Sequence, residues 1–126
     1  MIVMEITLVY PHQLFASHPA VQPGRDVALI EDPLFFGTDP QWPQRVHWRK
    51  LLLHRASMQA YADRLRALGC TVLLQRHHEV QDTTGHLDLL LQAGYRSFYL
   101  ADPIDDVLER RLRAAITSHQ AALEVV

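Results

Sequence analysis

The amino-acid sequence predicts an α/β protein, a three-layer sandwich in which a mostly parallel sheet of about five strands carries helices on both faces. Two observations carry this prediction. Short runs dominated by Ile, Val and Leu, each of strand length, recur along the chain, and between them lie segments whose apolar residues fall on one helical stripe. Their alternation calls for right-handed crossovers between parallel neighbours. At 126 residues the chain can bury roughly two thirds of its unfolded surface, so residues 1–126 are expected to form one domain without a metal or disulfide.

Residues 2–9 are the first predicted strand, stopped by Pro11. Residues 27–30 are the second, entered from the turn-forming Pro23-Gly24-Arg25-Asp26 and limited by Pro33. The link between them has little helical pattern beyond Leu14 to Ser17. Residues 31–46 mix Pro33, Gly37, Pro40 and Pro43 with Phe35, Phe36 and Trp42, which marks an irregular segment that must still bury large side chains. Positions 44 to 68 hold no Pro or Gly; Leu51, Leu52, Met58, Ala62, Leu65 and Leu68 lie near one stripe, and Gly69 follows at C′. A third strand is expected over 70–74. Thr83-Thr84 are candidate caps of a second helix running through Leu87, Leu90 and Leu91 to Gly94, with Asp88 in its first turn. Residues 97–101 are a fourth strand. Asp102 as N-cap and Pro103 at N1 open a third helix, with Leu108, Leu112, Ala115 and Ile116 inward and Arg110, Arg111 and Arg113 outside that stripe. Residues 123–126 begin a fifth strand.

Composition narrows the function. Twelve Lys+Arg against fourteen Asp+Glu leave a net charge of -2, which lacks the basic excess of an autonomous nucleic-acid binder. Cys70 is the single cysteine, so the chain has neither an internal disulfide nor the thiolates for an iron–sulfur cluster, and an inert thiol in a reducing cytosol is expected. No signal-peptide pattern opens the chain and no apolar run approaches the ~18 residues of a membrane span, so a cytoplasmic protein without a membrane partner is expected. Neither G-x-G-x-x-G nor G-x-x-x-x-G-K-[ST] occurs, which argues against the usual dinucleotide and P-loop enzymes. His47 and His54 share a helix face, but a metal needs a third ligand and closer spacing, so none is expected. His77-His78 reads as an exposed strand end, and Ser57 lies off any strand-to-helix elbow.

In an open parallel sheet, ligands bind beyond the carboxyl ends of the strands. Those ends carry Tyr10-Pro11-His12-Gln13-Leu14-Phe15, then Glu31-Asp32-Pro33-Leu34-Phe35-Phe36, then Ala101-Asp102-Pro103. Aromatic surfaces beside hydrogen-bonding groups suit a flat heterocycle, although Phe35 and Phe36 also suit core packing and Asp102 a helix cap. The basic opening of the long helix, His47-Trp48-Arg49-Lys50 with His54-Arg55, opposes the helix dipole; phosphates, an acidic neighbour or solvent all remain open as its counterpart.

Val9-Tyr10-Pro11-His12-Gln13-Leu14-Phe15, Leu29-Ile30-Glu31-Asp32-Pro33-Leu34-Phe35-Phe36-Gly37 and the run from His47 through Leu51, His54, Arg55 and Met58 to Ala62 together resemble the N-terminal domain of photolyase-related proteins. This is the prokaryotic cryptochrome/photolyase family that includes the iron–sulfur bacterial (6-4) photolyases. The resemblance implies a Rossmann-like antenna domain, followed in full-length relatives by a helical domain that holds FAD, a [4Fe–4S] cluster and the DNA-lesion site. That helical domain is not in this chain, so DNA is expected as a partner only of a full-length protein. By position, a lumazine or other antenna chromophore would meet His12, Gln13, Glu31, Asp32, Phe35, Phe36, Asp102 and Pro103. Lumazine-binding members resemble Gly-Asp-Gln-Leu where this chain has Pro11-His12-Gln13-Leu14, which puts an imidazole in place of an acid.

Three functions follow as expectations. The first is an antenna or nucleotide-like ligand-binding module of a photolyase or cryptochrome, linked to DNA repair or light sensing and without catalysis of its own. The second is an interaction module with a vestigial pocket that docks a helical flavin-bearing partner, or a second copy as a homodimer. The third is a small enzyme using His12 with Glu31 or Asp32 as acid and base.

Overall fold

The computed structural model describes residues 4–126. Five parallel strands, β1 (Met4–Val9), β2 (Asp26–Ile30), β3 (Val72–Gln75), β4 (Tyr95–Leu100) and β5 (Ala122–Val125), form one sheet in the order β3-β2-β1-β4-β5. The expected start of the first strand at Ile2 and Val3 lies outside the described residues. Side-chain alternation divides the core into two layers. Ile6, Leu8, Ala28 and Ile30 face α3 (Thr83–Gln92) and α4 (Asp106–Ser118), while Val9, Val27 and Leu29 face α2 (Trp48–Ala67). The chain moves outward through β1, β2 and β3 in one direction and through β4 and β5 in the other. Crossovers of one hand then require helices on opposite faces, as found.

Local chemistry sets the element ends. After α2, Gly69 takes φ +91°, donating its N–H to Arg66 O at 3.0 Å while Cys70 N–H donates to Leu65 O at 3.0 Å, the pattern of a Schellman cap. The stripe of α2 differs from expectation at its ends. Met58, Tyr61, Ala62 and Leu65 are buried, but Leu52 and Leu68 are exposed. Within 31–46, Pro33–Phe36 forms a short helix, α1. Gly37 ends it at φ +81°, where a Cβ would collide with the Gln44 carbonyl.

Two expected caps are corrected. Asp82, not Thr83 or Thr84, caps α3 by accepting from Gly85 N–H at 3.0 Å, and Asp88 lies beyond the first turn. Asp105, not Asp102, caps α4 by accepting from Leu108 N–H at 2.9 Å. Pro103 therefore precedes the helix. Between β1 and β2 no helix forms; the buried Thr7 hydroxyl donates to Ala20 O at 2.7 Å and ties this link to the sheet. No helix among the described residues is long and apolar enough to cross a membrane.

Candidate functional site

Strand order reverses between β1 and β4, where a ligand crevice is expected. Here the chain's own side chains bridge it. Gln13 is fully buried; its amide donates to Ala101 O at 2.9 Å, and its Oε1 accepts from Tyr10 N–H at 3.4 Å. His12 Nε2 donates to Pro103 O at 2.7 Å, because a carbonyl can only accept, and the imidazole stacks on Phe35 at 4.8 Å. The Asp102 carboxylate accepts from Ile104 N–H at 3.0 Å in a local turn. His12, Gln13, Phe35, Asp102 and Pro103 are thus brought together by contacts with one another.

One strand away the rim is open. Glu31, at the end of β2, is fully buried and receives Arg55 Nε at 3.0 Å, Arg55 Nη2 at 2.9 Å, Arg76 Nη1 at 3.0 Å and His77 N–H at 3.2 Å. Burial opposes its charge, but the bonds from Arg55, His77 N–H and Arg76 outweigh that and hold the carboxyl below its ordinary value. The acidic neighbour of the basic helix opening is therefore Glu31, reached by Arg55. In front of this group lies a cleft of about 340 Å³ lined by Phe36, Trp48, Leu51, Leu52, Arg55 and His77. Phe36 and His77 stack at 4.7 Å with their planes 15° apart, and His54 tilts against Phe36 at 5.7 Å. Burial pushes the His54 and His77 imidazoles down, so both stay neutral at pH 7. His77-His78 is a 3-10 turn rather than a bare strand end.

This order of strands, the paired acids ending β2 and the long basic-headed α2 follow one another along a stretch that a single family covers. Residues 7–126 match the family described as deoxyribodipyrimidine photo-lyase-related protein. The chain belongs to this family. No curated protein matches it. Cys70 is the single cysteine of the sequence, so a four-thiolate iron–sulfur cluster does not fit the residues present. Among the described residues no group of three or more His, Cys, Asp or Glu side chains is placed to hold a metal.

Of the eight site residues expected from this photolyase-related sequence, Phe36 lines the open cleft and Glu31 anchors its arginine from behind. Asp32 points the other way. Its Oδ1 accepts from Leu34 N–H at 3.0 Å and from the Thr83 hydroxyl at 3.1 Å, while Oδ2 is buried without a partner. Burial outweighs these bonds and pushes its carboxyl up to about 6. The Tyr10 hydroxyl, also buried and unpaired, is raised by burial and by the Asp32 charge. His12 is hydrogen-bonded to neither Glu31 nor Asp32. Arg111 lies outside the buried stripe of α4, as its position in the sequence predicts, and from there clamps the buried Asp39, with Nη2 to Oδ2 at 3.0 Å, pinning the loop after α1 to α4. Trp48, Leu51, Leu52, Arg55, Arg76 and His77 were not foreseen as one site. The usable signal was a run of cations opposing the α2 dipole beside an acidic strand end.

Proposed function

We propose that this photolyase-related chain is an antenna-type ligand-binding module, of the iron–sulfur bacterial (6-4) photolyase group, that holds a flat heteroaromatic chromophore and performs no turnover by itself. The β2/β3 cleft supports the reading: the stacked Phe36 and His77 rings, the indole of Trp48 and the apolar Leu51 and Leu52 give flat walls, with Arg55 as the polar group that would orient a ring. A lumazine or another pigment would supply the photophysics, while the protein supplies orientation and a partly dry surface. FAD, the [4Fe–4S] cluster and the lesion site would belong to the helical portion of full-length relatives, and with them DNA repair or light sensing.

The experiment is a titration of the purified protein with a ribityl lumazine and with riboflavin, read by chromophore fluorescence and repeated on Trp48→Ala. Saturable binding that weakens in the variant supports the reading, and binding of neither pigment overturns it. A second reading, docking of a helical flavin-bearing partner or a second copy, is favoured by the exposed Trp48, Leu52 and Leu53 on the first turns of α2. A pigment-free protein forming a defined complex with such a chain, or a dimer lost on Leu53→Ser, is its expected signature.

A further inference from the structure

We infer that the ligand of the β2/β3 cleft carries an anionic group beside its flat ring, and that this group docks on the uncommitted edge of Arg55. The inference rests on the cleft reading above and adds the chemical class of the ligand. A guanidinium has five N–H donors in a fixed fork. In Arg55 the Nε and Nη2 edge is used by both oxygens of Glu31, which leaves the end formed by Nη1 and the second Nη2 hydrogen. Nη1 makes no hydrogen bond to the described residues, and the side chain is 43% exposed while lining the cleft. Glu31, itself fully buried, acts as a brace that fixes the fork and aims its free end outward.

Charge points the same way. Arg55 and Arg76 share one carboxylate, so the group retains one positive charge at the mouth of a cleft whose other lining groups are neutral. Arg76 reaches Gln59 with its second arm at 3.5 Å, so Arg55 is the one left to receive a ligand. A carboxylate or a phosphate can accept two parallel N–H bonds from such an end, which an uncharged ring without acceptor oxygens cannot do.

The test uses the intact protein and three probes that share a ring system, naphthoate, naphthyl phosphate and the uncharged naphthamide, followed by ligand-observed NMR at low and high salt. At low salt at least one anion is expected to bind about tenfold tighter than the amide, with the advantage shrinking as salt rises. Whichever anion is preferred distinguishes carboxylate from phosphate. Arg55→Gln should abolish the preference of anion over amide, read as the ratio of the two affinities in the same variant, whereas Arg113→Gln, remote on α4, should leave that ratio unchanged. Should Arg55→Gln fail to fold, Arg55→Lys keeps a charge against Glu31 but loses the fork, and a reduced preference is expected there. Equal binding of acid and amide, or a preference that survives Arg55→Gln, overturns the anion inference while leaving the cleft reading intact. Failure of all three probes to bind overturns this inference, while the cleft reading stands or falls with the pigment titration.

Discussion

The carboxyl edge of one sheet has two mouths, and they have opposite characters. Between β1 and β4 the crevice that topology offers to a ligand is spanned by Gln13 and His12, each bonded to backbone carbonyls of the facing segment. Beyond β2 and β3 the rim is kept open by an ion-pair group whose carboxylate is interior and whose guanidiniums reach solvent. The difference teaches that strand order offers a place for a ligand, and local side chains decide whether that place is filled. A neutral amide of the right length closes a gap by satisfying itself. A buried acid holding two long cations props the neighbouring surface apart.

Breaking the prop should therefore cost more than removing the plug. Glu31→Gln leaves Arg55 and Arg76 facing each other without a carboxylate. Breaking a buried pair costs about 3–5 kcal/mol, and because both arginines are partly exposed we expect about 2–4 kcal/mol, measured by urea denaturation. The pH profile supplies a second readout. The Glu31 carboxyl is lowered in the folded state, so its contribution is present above the unfolded value of 4.5 and lost as pH falls through the folded one. Glu31→Gln should remove that acid-side loss. An unchanged denaturation midpoint would mean that this brace adds nothing to the stability of the fold.

The adjacent acid should behave in the opposite sense. Asp32 titrates near 6 when folded against 3.8 when unfolded, so the unfolded chain ionises first and stability falls as pH rises between those values. Asp32→Asn keeps an acceptor for Leu34 N–H and the Thr83 hydroxyl but removes the charge. The variant should be more stable than the parent at pH 7, by about 1–3 kcal/mol, and equal to it near pH 3.5. A variant destabilised at both pH values would mean that Asp32 is needed as an anion.

These contrasts mark how far the sequence could be read. The five strands, the two-faced core and the Gly69 cap follow from apolar runs, stripe spacing and one glycine, all properties of short segments. The caps at Asp82 and Asp105 were missed because several acids and threonines stand within a few residues of each helix start, and only the path of the chain decides which one meets a free N–H. The candidate site was half legible. Glu31 and Phe36 stand at a strand end where chemistry is sought, but the partners Arg55 and Arg76 lie 24 and 45 positions further on. Glu31 and Asp32 stand side by side in the sequence as two like-charged acids, both buried; the number of donors each meets separates them.

Removing the plug is the smaller perturbation. In Gln13→Ala the Ala101 carbonyl loses its amide donor and the Tyr10 N–H its acceptor, both at a buried position. We expect about 1–3 kcal/mol, with the lower end reached if water enters. Entry of water or of a small probe at the β1/β4 crevice in this variant alone would show that closure there is due to one side chain. Persistent closure, seen as unchanged protection of the Gln13 region from hydrogen exchange, would transfer that role to His12 on Phe35.

The smallest effect on stability is expected where the effect on binding should be greatest. Trp48 is 58% exposed at the first turn of α2, so its removal leaves no cavity, and Trp48→Ala should shift stability by no more than about 0.5 kcal/mol. Alanine also favours the helix slightly over tryptophan. The same indole forms one wall of the open cleft, and an aromatic ring lost from a stacking wall typically costs about 0.5–1.5 kcal/mol beyond the area it covered. A flat ligand should thus bind several-fold more weakly to a protein whose unfolding curve is nearly unmoved. The opposite outcome, a large loss of stability with unaltered binding, would make Trp48 a packing residue and return the search for a ligand to the closed mouth.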